Sequence, residues 1–317
     1  MKNFALVGAA GYIAPRHMKA IRDTGNRIVA AVDKSDSVGI LDTYSYDAAF
    51  FTEFERFDRH AEKLRRQGGE KRIHYVSICS PNYLHDAHVR FALRIGADAI
   101  CEKPLVLNPW NLDALAELER ETGKRIFTVL QLRVHPSIKA LRERVLKSPA
   151  GKKHSIDLTY ITSRGNWYFS SWKGDVSKSG GVATNIGVHI FDMLQWVFGD
   201  VEHIEVHISD ARRMAGHLEL EKAQVRWFLS VGKEDLPEVA TQVGKTTFRS
   251  ILVDGEVFEF TEGFTDLHTE IYREILAGGG FGVEETRPSI SLVYKLRNSI
   301  PVRSDGSHAH PLLKKFP

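Results

Sequence analysis

Apolar residues in the first 125 positions gather into short, β-branched runs that alternate with stretches of helical spacing. FALVG (Phe4–Gly8) leads into a helix ending near Thr24, RIVAAVD (Arg27–Asp33) into one around Arg59–Gln67, and YVSICS (Tyr75–Ser80) into one around Leu84–Ile95. DAICEKP (Asp98–Pro104) and a helix over Pro109–Thr122 follow, then RIFTVLQ (Arg125–Gln131). Strand and helix in alternation predict a doubly wound parallel sheet, the Rossmann arrangement. The aromatic-rich segment 39–57 is long for a strand-to-helix connection and reads as an insertion.

After Leu132 the texture changes. A helix over His135–Ser148 leads into HSIDLTYITSR (His154–Arg164), which alternates like a half-buried strand. Beyond a glycine-rich loop and an apolar helix at about Gly181–Phe198 come HIEVHIS (His203–Ser209), KAQVRWFLSV (Lys222–Val231), TTFRSILV (Thr246–Val253) and EVFEFT (Glu256–Thr261). Helices at Asp266–Ala277 and Pro288–Asn298 come last. Strands in succession predict an open, mostly antiparallel sheet. The chain therefore reads as α/β plus α+β, with residues 1–125 as a Rossmann domain and 126–317 as a second domain.

Composition narrows the partners. Lys and Arg number 43 against 40 Asp and Glu, a formal charge of +3, with no basic block that would track a nucleic acid. Cys79 and Cys101 sit in apolar runs and read as small buried residues in a reducing compartment. No leader-like start and no membrane-length apolar stretch is visible, so the expectation is a cytoplasmic protein without a membrane or nucleic-acid partner.

GAAGYIAPRH (Gly8–His17) follows the first strand and opens a helix, the context in which a glycine turn lets backbone N–H groups approach a pyrophosphate. Ala10 stands where the fingerprint has its second glycine, and Gly11 and Ala14 keep the turn small. Asp33 ends the second strand at the distance where a carboxylate accepts the adenine-ribose hydroxyls and repels a 2′-phosphate, which favours NAD; the plain alternative is a turn residue. The Glu102-Lys103 pair at a strand end is either a site or an ordinary surface ion pair before a proline.

SPNYLH (Ser80–His85) followed by EKP (Glu102–Pro104), and later GGVATNIGVHIFDMLQWVFGD (Gly180–Asp200), resembles the glucose-fructose oxidoreductase and inositol dehydrogenase family over nearly the whole chain. Within it, GAAGYIAPRH, the 39–57 insertion, LQLRVHP (Leu130–Pro136) and SRGNWYFSSWKGD (Ser163–Asp175) are similar to the branch that oxidises C3 of UDP-N-acetyl-2-amino-2-deoxy-D-glucuronate on the way to the 2,3-diamino uronic acids of lipopolysaccharide O-antigen. The resemblance implies NAD held by Gly8, Ala10, Gly11, Tyr12 and Ile13 at the turn and by Asp33. It adds Ser80, Pro81, Asn82 and His85 after the third strand, Glu102 and Lys103 after the next, and Gln131. It further implies substrate binding and oligomerisation by the second domain as a dimer or tetramer, and in some relatives reoxidation of bound NADH by 2-oxoglutarate.

Oxidising a secondary alcohol needs a hydride acceptor over one carbon and a base on its oxygen. Lys103 and His189 are the candidates, with His189 taking the proton and Lys103 polarising the hydroxyl, or the reverse. Asn185 replaces the Asp that many family members carry before this histidine, and Asp192, one helical turn on, either orients the imidazole or pairs elsewhere. The expected substrate contacts are Lys103, Asn185 and His189, with Arg133 and His135 as an anion site ahead of a proline-initiated helix. Arg164, Trp167 and Tyr168 complete the set from the loop. No metal cluster is read, and hydride transfer needs none. Two alternatives stay open: another sugar or cyclitol dehydrogenase, and a non-catalytic NAD or sugar sensor.

Overall fold

The computed structural model describes residues 1–259, 266–304 and 306–316. It divides into two compact units, Met1–Gln131 with Asp266–Arg287, and Leu132–Thr265 with Pro288–Pro317.

The first unit begins β1 (Asn3–Val7), α1 (Ala14–Asp23), β2 (Arg27–Val32), β3 (Ala49–Phe51), α2 (Phe54–Gln67), β4 (Tyr75–Ile78) and α3 (His85–Arg94). It continues with β5 (Asp98–Cys101), α4 (Pro109–Thr122) and β6 (Ile126–Thr128). Every pairing is parallel, in the order β3-β2-β1-β4-β5-β6. Phe4, Ala5, Leu6, Val76 and Ile100 are fully buried, as expected of strands covered on both faces. The order reverses between β1 and β4, so their carboxyl ends form the crevice where such sheets hold ligands. The segment read as an insertion contributes β3, an edge strand paired with β2.

The second unit holds α5 (Pro136–Leu146), β7 (His154–Thr162), the short helices α6 (Trp167–Ser170) and α7 (Val176–Ser179), and α8 (Val188–Phe198). Next come β8 (Val201–Ser209), β9 (Arg213–Leu220), β10 (Ala223–Ser230), the short α9 (Glu238–Thr241), β11 (Thr247–Val253) and β12 (Glu256–Val257). The sheet order is β12-β11-β7-β10-β9-β8, antiparallel except for β7 with β10. The expected strand over Glu256–Thr261 is ordered at its first two residues, and residues 260–261 lie outside the described residues.

Strand β9 escaped the sequence reading because Ala215-Gly216-His217 interrupts the alternation. Gly216 is there for room: a Cβ would lie 2.0 Å from the Glu205 carbonyl and 2.9 Å from the Trp227 ring. Trp227 is fully buried and meets Phe191 of α8 edge to face, with centroids 5.2 Å apart. Such a pair adds about 0.5–1.5 kcal/mol beyond its buried area.

Helix α10 (Leu267–Leu276) belongs to the first unit, where Tyr272 stacks against Phe4 with centroids 5.8 Å apart. Helix α11 (Val283–Asn298) starts five residues before the proline expected to begin it, and Pro288 lies inside.

Candidate active site

The glycine turn is built for close approach. Gly8 has φ +86°, and a Cβ there would lie 2.7 Å from the Cys79 carbonyl carbon and the Ser80 nitrogen. Only glycine fits between the ends of β1 and β4. No side chain caps the N-terminus of α1; the Ala14 and Arg16 N–H groups bond to the Gly11 and Ile13 carbonyls at 3.0 Å, and Pro15 between them has none. Tyr12, 91% exposed, leaves this mouth uncovered. The Asp33 carboxylate accepts the Ala10 N–H at 3.0 Å through one oxygen and the Ser35 N–H at 2.9 Å through the other. It thereby acts as the turn residue of the plain reading and holds Ala10 in place. These features fit a dinucleotide: Gly8 and Gly11 give a backbone cradle, and Asp33 is a carboxylate at the second strand end.

At the next strand ends, His85 is buried, with Nδ1 2.7 Å from the Pro104 carbonyl and Nε2 2.8 Å from the Ser80 carbonyl. It ties the loop after β4 to the loop after β5. Burial lowers its pKa while both carbonyls favour the proton, so a neutral ring has one N–H for two acceptors. Ser80 is held by the His88 Nδ1 at 2.8 Å; Asn82 is buried, while Pro81 and Gln131 are half-buried.

Glu102 makes no ion pair with the Lys103 ammonium among the described residues. It points inward, 8% exposed, and one oxygen takes both His17 Nε2 and His268 Nε2 at 2.9 Å. His17 Nδ1 meets the Tyr272 hydroxyl at 2.7 Å, and that hydroxyl meets Ser77 Oγ at 2.6 Å. Burial alone would raise Glu102, but the two imidazole hydrogen bonds hold it well below the usual carboxylate range. Burial lowers His17, so a neutral imidazole donates to an ionised carboxylate. The other Glu102 oxygen accepts the Lys103 N–H at 3.3 Å, next to a cis Lys103-Pro104 bond. Glu102 thus anchors the backbone of Lys103, whose half-buried side chain has no hydrogen bond or ion pair among the described residues.

In the second unit several expectations change. Arg133 does not offer an open anion site: its Nε and Nη2 grip Asp192 at 2.9 and 2.7 Å, both side chains buried. Asp192 therefore serves Arg133, the alternative partner left open by the sequence, and not the His189 ring. Burial pushes Asp192 above its usual range against the pull of the guanidinium. His135 is buried as the N-cap of α5, its Nδ1 accepting the Ser137 N–H at 3.2 Å. Tyr168 is buried too, and its hydroxyl accepts from Asn185 Nδ2 at 2.9 Å, so it packs beneath the loop and is no open platform. Arg164 and Trp167 remain exposed, Trp167 at 55%.

Asn185 lies in a π-helical turn, Ala183–Gly187, that runs into α8. Such bulges re-aim side chains and recur at functional sites. His189 follows in the first turn of α8, half-buried and edge-on to Tyr160 at 5.8 Å. His17, His268, Tyr272 and Ser77 were not singled out by the sequence reading; only the strand-end position of Glu102 hinted that a buried partner was needed.

Two family profiles match the chain: the oxidoreductase family's NAD-binding Rossmann fold over residues 2–130, and its C-terminal alpha/beta domain over 139–240. Among solved structures, the WlbA (WbpB) dehydrogenase of Thermus thermophilus in complex with NAD and alpha-ketoglutarate is 51% identical, over 99% of this chain and 100% of that one, with a TM-score of 0.94. The same enzyme with NAD and UDP-GlcNAcA gives 50% identity at the same coverage and TM-score. The curated putative oxidoreductase YteT of Bacillus subtilis is 27% identical over 39% of this chain and 29% of its own length. The 1,5-anhydro-D-fructose reductase of Ensifer adhaerens is 25% identical over 68% of this chain and 62% of its own. These two curated relatives are thus matched over less than two thirds of their length. A glycine cradle at the β1–β4 switch point, an anchored Lys103 and these matches lead to one statement: the chain belongs to the GFO/IDH/MocA oxidoreductase family.

Proposed function

We infer that the protein is an NAD-dependent dehydrogenase that oxidises the C3 hydroxyl of UDP-N-acetyl-2-amino-2-deoxy-D-glucuronate to the 3-keto sugar. The observation that carries this reading is end-to-end similarity at about half identity to an enzyme solved with NAD and UDP-GlcNAcA. The Gly8 turn, packed so closely on Cys79 and Ser80 that no side chain fits there, supports the NAD part of this reading.

In this reading Gly8, Ala10, Gly11, Tyr12, Ile13 and Asp33 hold NAD, which when bound accepts the hydride from C3. Lys103 donates a hydrogen bond to the C3 oxygen and His189 takes its proton. Glu102 fixes the backbone of Lys103 from below. Asn185, in the π-helical turn just ahead of His189, offers the substrate an uncharged amide. Arg164 and Trp167 meet the nucleotide-sugar, the first as a cation for its carboxylate or pyrophosphate, the second as an aromatic face. Arg133, His135, Asp192 and Tyr168 support this set through packing and capping. Similarity to an enzyme solved with alpha-ketoglutarate supports 2-oxoglutarate as the compound that reoxidises NADH without its release. A homo-oligomeric enzyme of the cytoplasm completes the reading; among the described residues no helix is long and apolar enough to cross a membrane.

The test is a reaction of purified protein with NAD and the UDP-linked uronic acid, with and without 2-oxoglutarate, read by reduced-nicotinamide absorbance and product mass. A product lighter by two hydrogens is expected, with turnover beyond one equivalent only when 2-oxoglutarate is present. Tight substrate binding without any mass change would overturn the catalytic reading.

A further inference from the structure

A second cluster of chemistry-bearing side chains lies wholly in the second unit. Strand alternation puts His203, Glu205 and His207 of β8 at every second position. His217 of β9 is the register partner of Glu205, and His308 comes from the C-terminal segment. The Glu205 carboxylate lies 3.1 Å from His308 Nδ1, 3.1 Å from His207 Nε2 and 3.4 Å from His203 Nε2. Glu205, His217 and His308 each offer a ligand atom within 4.8 Å of the other two. The His217 and His308 rings stack at 3.9 Å, only 8° from parallel.

Hydrogen bonding leaves this cluster incomplete. His217 is 1% exposed and the His207 side chain 3%, and the Nδ1 of each is buried without a hydrogen-bond partner. A buried polar atom left in that state costs about 1–3 kcal/mol. The network around Glu102 differs, because both ring nitrogens of His17 are partnered.

We propose that Glu205, His217 and His308 form a structural binding site for a divalent transition-metal ion, with Zn2+ the best match and His207 and His203 at its rim. Two imidazoles and one carboxylate are three of the four donors of a tetrahedral zinc site, the fourth position being left for water, and bonds of about 2.0–2.1 Å put ligand atoms roughly 3.3 Å apart. The 3.1 Å separation between Glu205 and His308 already has that scale. The nitrogen-rich set selects against Mg2+ and Ca2+, which take oxygen ligands. The ion fastens His308 to β8, the edge strand of the sheet, and to β9. Just beyond, His310 stacks on Phe228, and Leu312, Leu313 and Phe316 cover Ile161, Ala215 and Leu236. The metal is a staple at the root of that cover, outside the machinery assigned to NAD and substrate.

The test uses full-length protein without a polyhistidine tag, stripped with chelator, loaded with ZnCl2 and desalted, with zinc counted by plasma mass spectrometry. About one zinc per chain is expected, with at least a tenfold loss in Glu205→Ala and in His308→Ala. His308 is partly exposed on the terminal segment, so its replacement keeps the test open if the β8 variant fails to fold. Amide exchange over residues 306–316 should slow on zinc addition in the unaltered protein and stay unchanged in His308→Ala. Zinc retained equally by His308→Ala, no retention by the unaltered protein, or exchange indifferent to zinc would each overturn the proposal.

Discussion

At Gly8 a single methyl group separates a nucleotide turn from a collision with the backbone of Cys79 and Ser80. Gly8→Ala adds both that clash and a positive φ, so we expect at least a tenfold loss of NAD affinity and about 1–3 kcal/mol of destabilisation, read by cofactor titration and denaturant unfolding. Lys103→Ala and His189→Ala should each lower kcat by roughly 10²–10⁴ with NAD affinity nearly unchanged. Near-normal turnover in both would remove the proposed roles. The turn, Asp33, Lys103 and His189 could be singled out as candidates because each sits in a local motif or at a strand end. The partners of Glu102 were not, since they lie 85 and 166 residues away and no spacing rule links them. Arg133 misled for a related reason: beside a helix start it looks like an anion site, and only packing shows Asp192 already in its grip.

Among the elements, the buried Arg133–Asp192 pair clamps the turn Gln131–Val134 to α8, the helix that carries His189. Removing one partner leaves an uncompensated buried charge, so Arg133→Met alone should destabilise by about 3–5 kcal/mol, while the pair Arg133→Met with Asp192→Leu should lose clearly less. Denaturant unfolding of the two singles and the double measures this, and strictly additive losses would mean that the pair does not act as a unit. Long periodic elements such as α4 could be read from sequence because spacing and flanking residues agree. Strand β9 could not, since Gly216 makes space for Trp227 at the expense of the alternating pattern. Strand β3 was hidden inside an aromatic-rich connection, and Pro288 resembled a helix start although α11 was already under way.

Across the whole molecule, buried histidines set the response to acid. His88 and His310 are lowered from 6.5 to about 4 by burial. A folded-state pKa below the unfolded one means that the unfolded chain binds protons first as pH falls. The stabilisation is therefore complete above 6.5 and lost on the way down through about 4. At 1.36 kcal/mol per unit, each supplies up to about 3 kcal/mol. Chelator-treated protein should show an unfolding free energy that drops steeply between pH 6.5 and 4.5, and a flat profile there would contradict the burial of these rings. The two-sheet architecture was legible from the change in element rhythm near Leu132, because parallel and antiparallel sheets impose different alternations. The late return of α10 to the first unit was not, as no local signal records where a helix docks. That return has a consequence for biosynthesis. While the chain is emerging from the ribosome, Glu102 and His17 exist for some 160 residues of elongation without His268, a span bounded by their 166-residue separation. The cofactor half, although made first, matures late: translation arrested before α10 leaves a nascent Rossmann sheet with a buried carboxylate still waiting for its second imidazole.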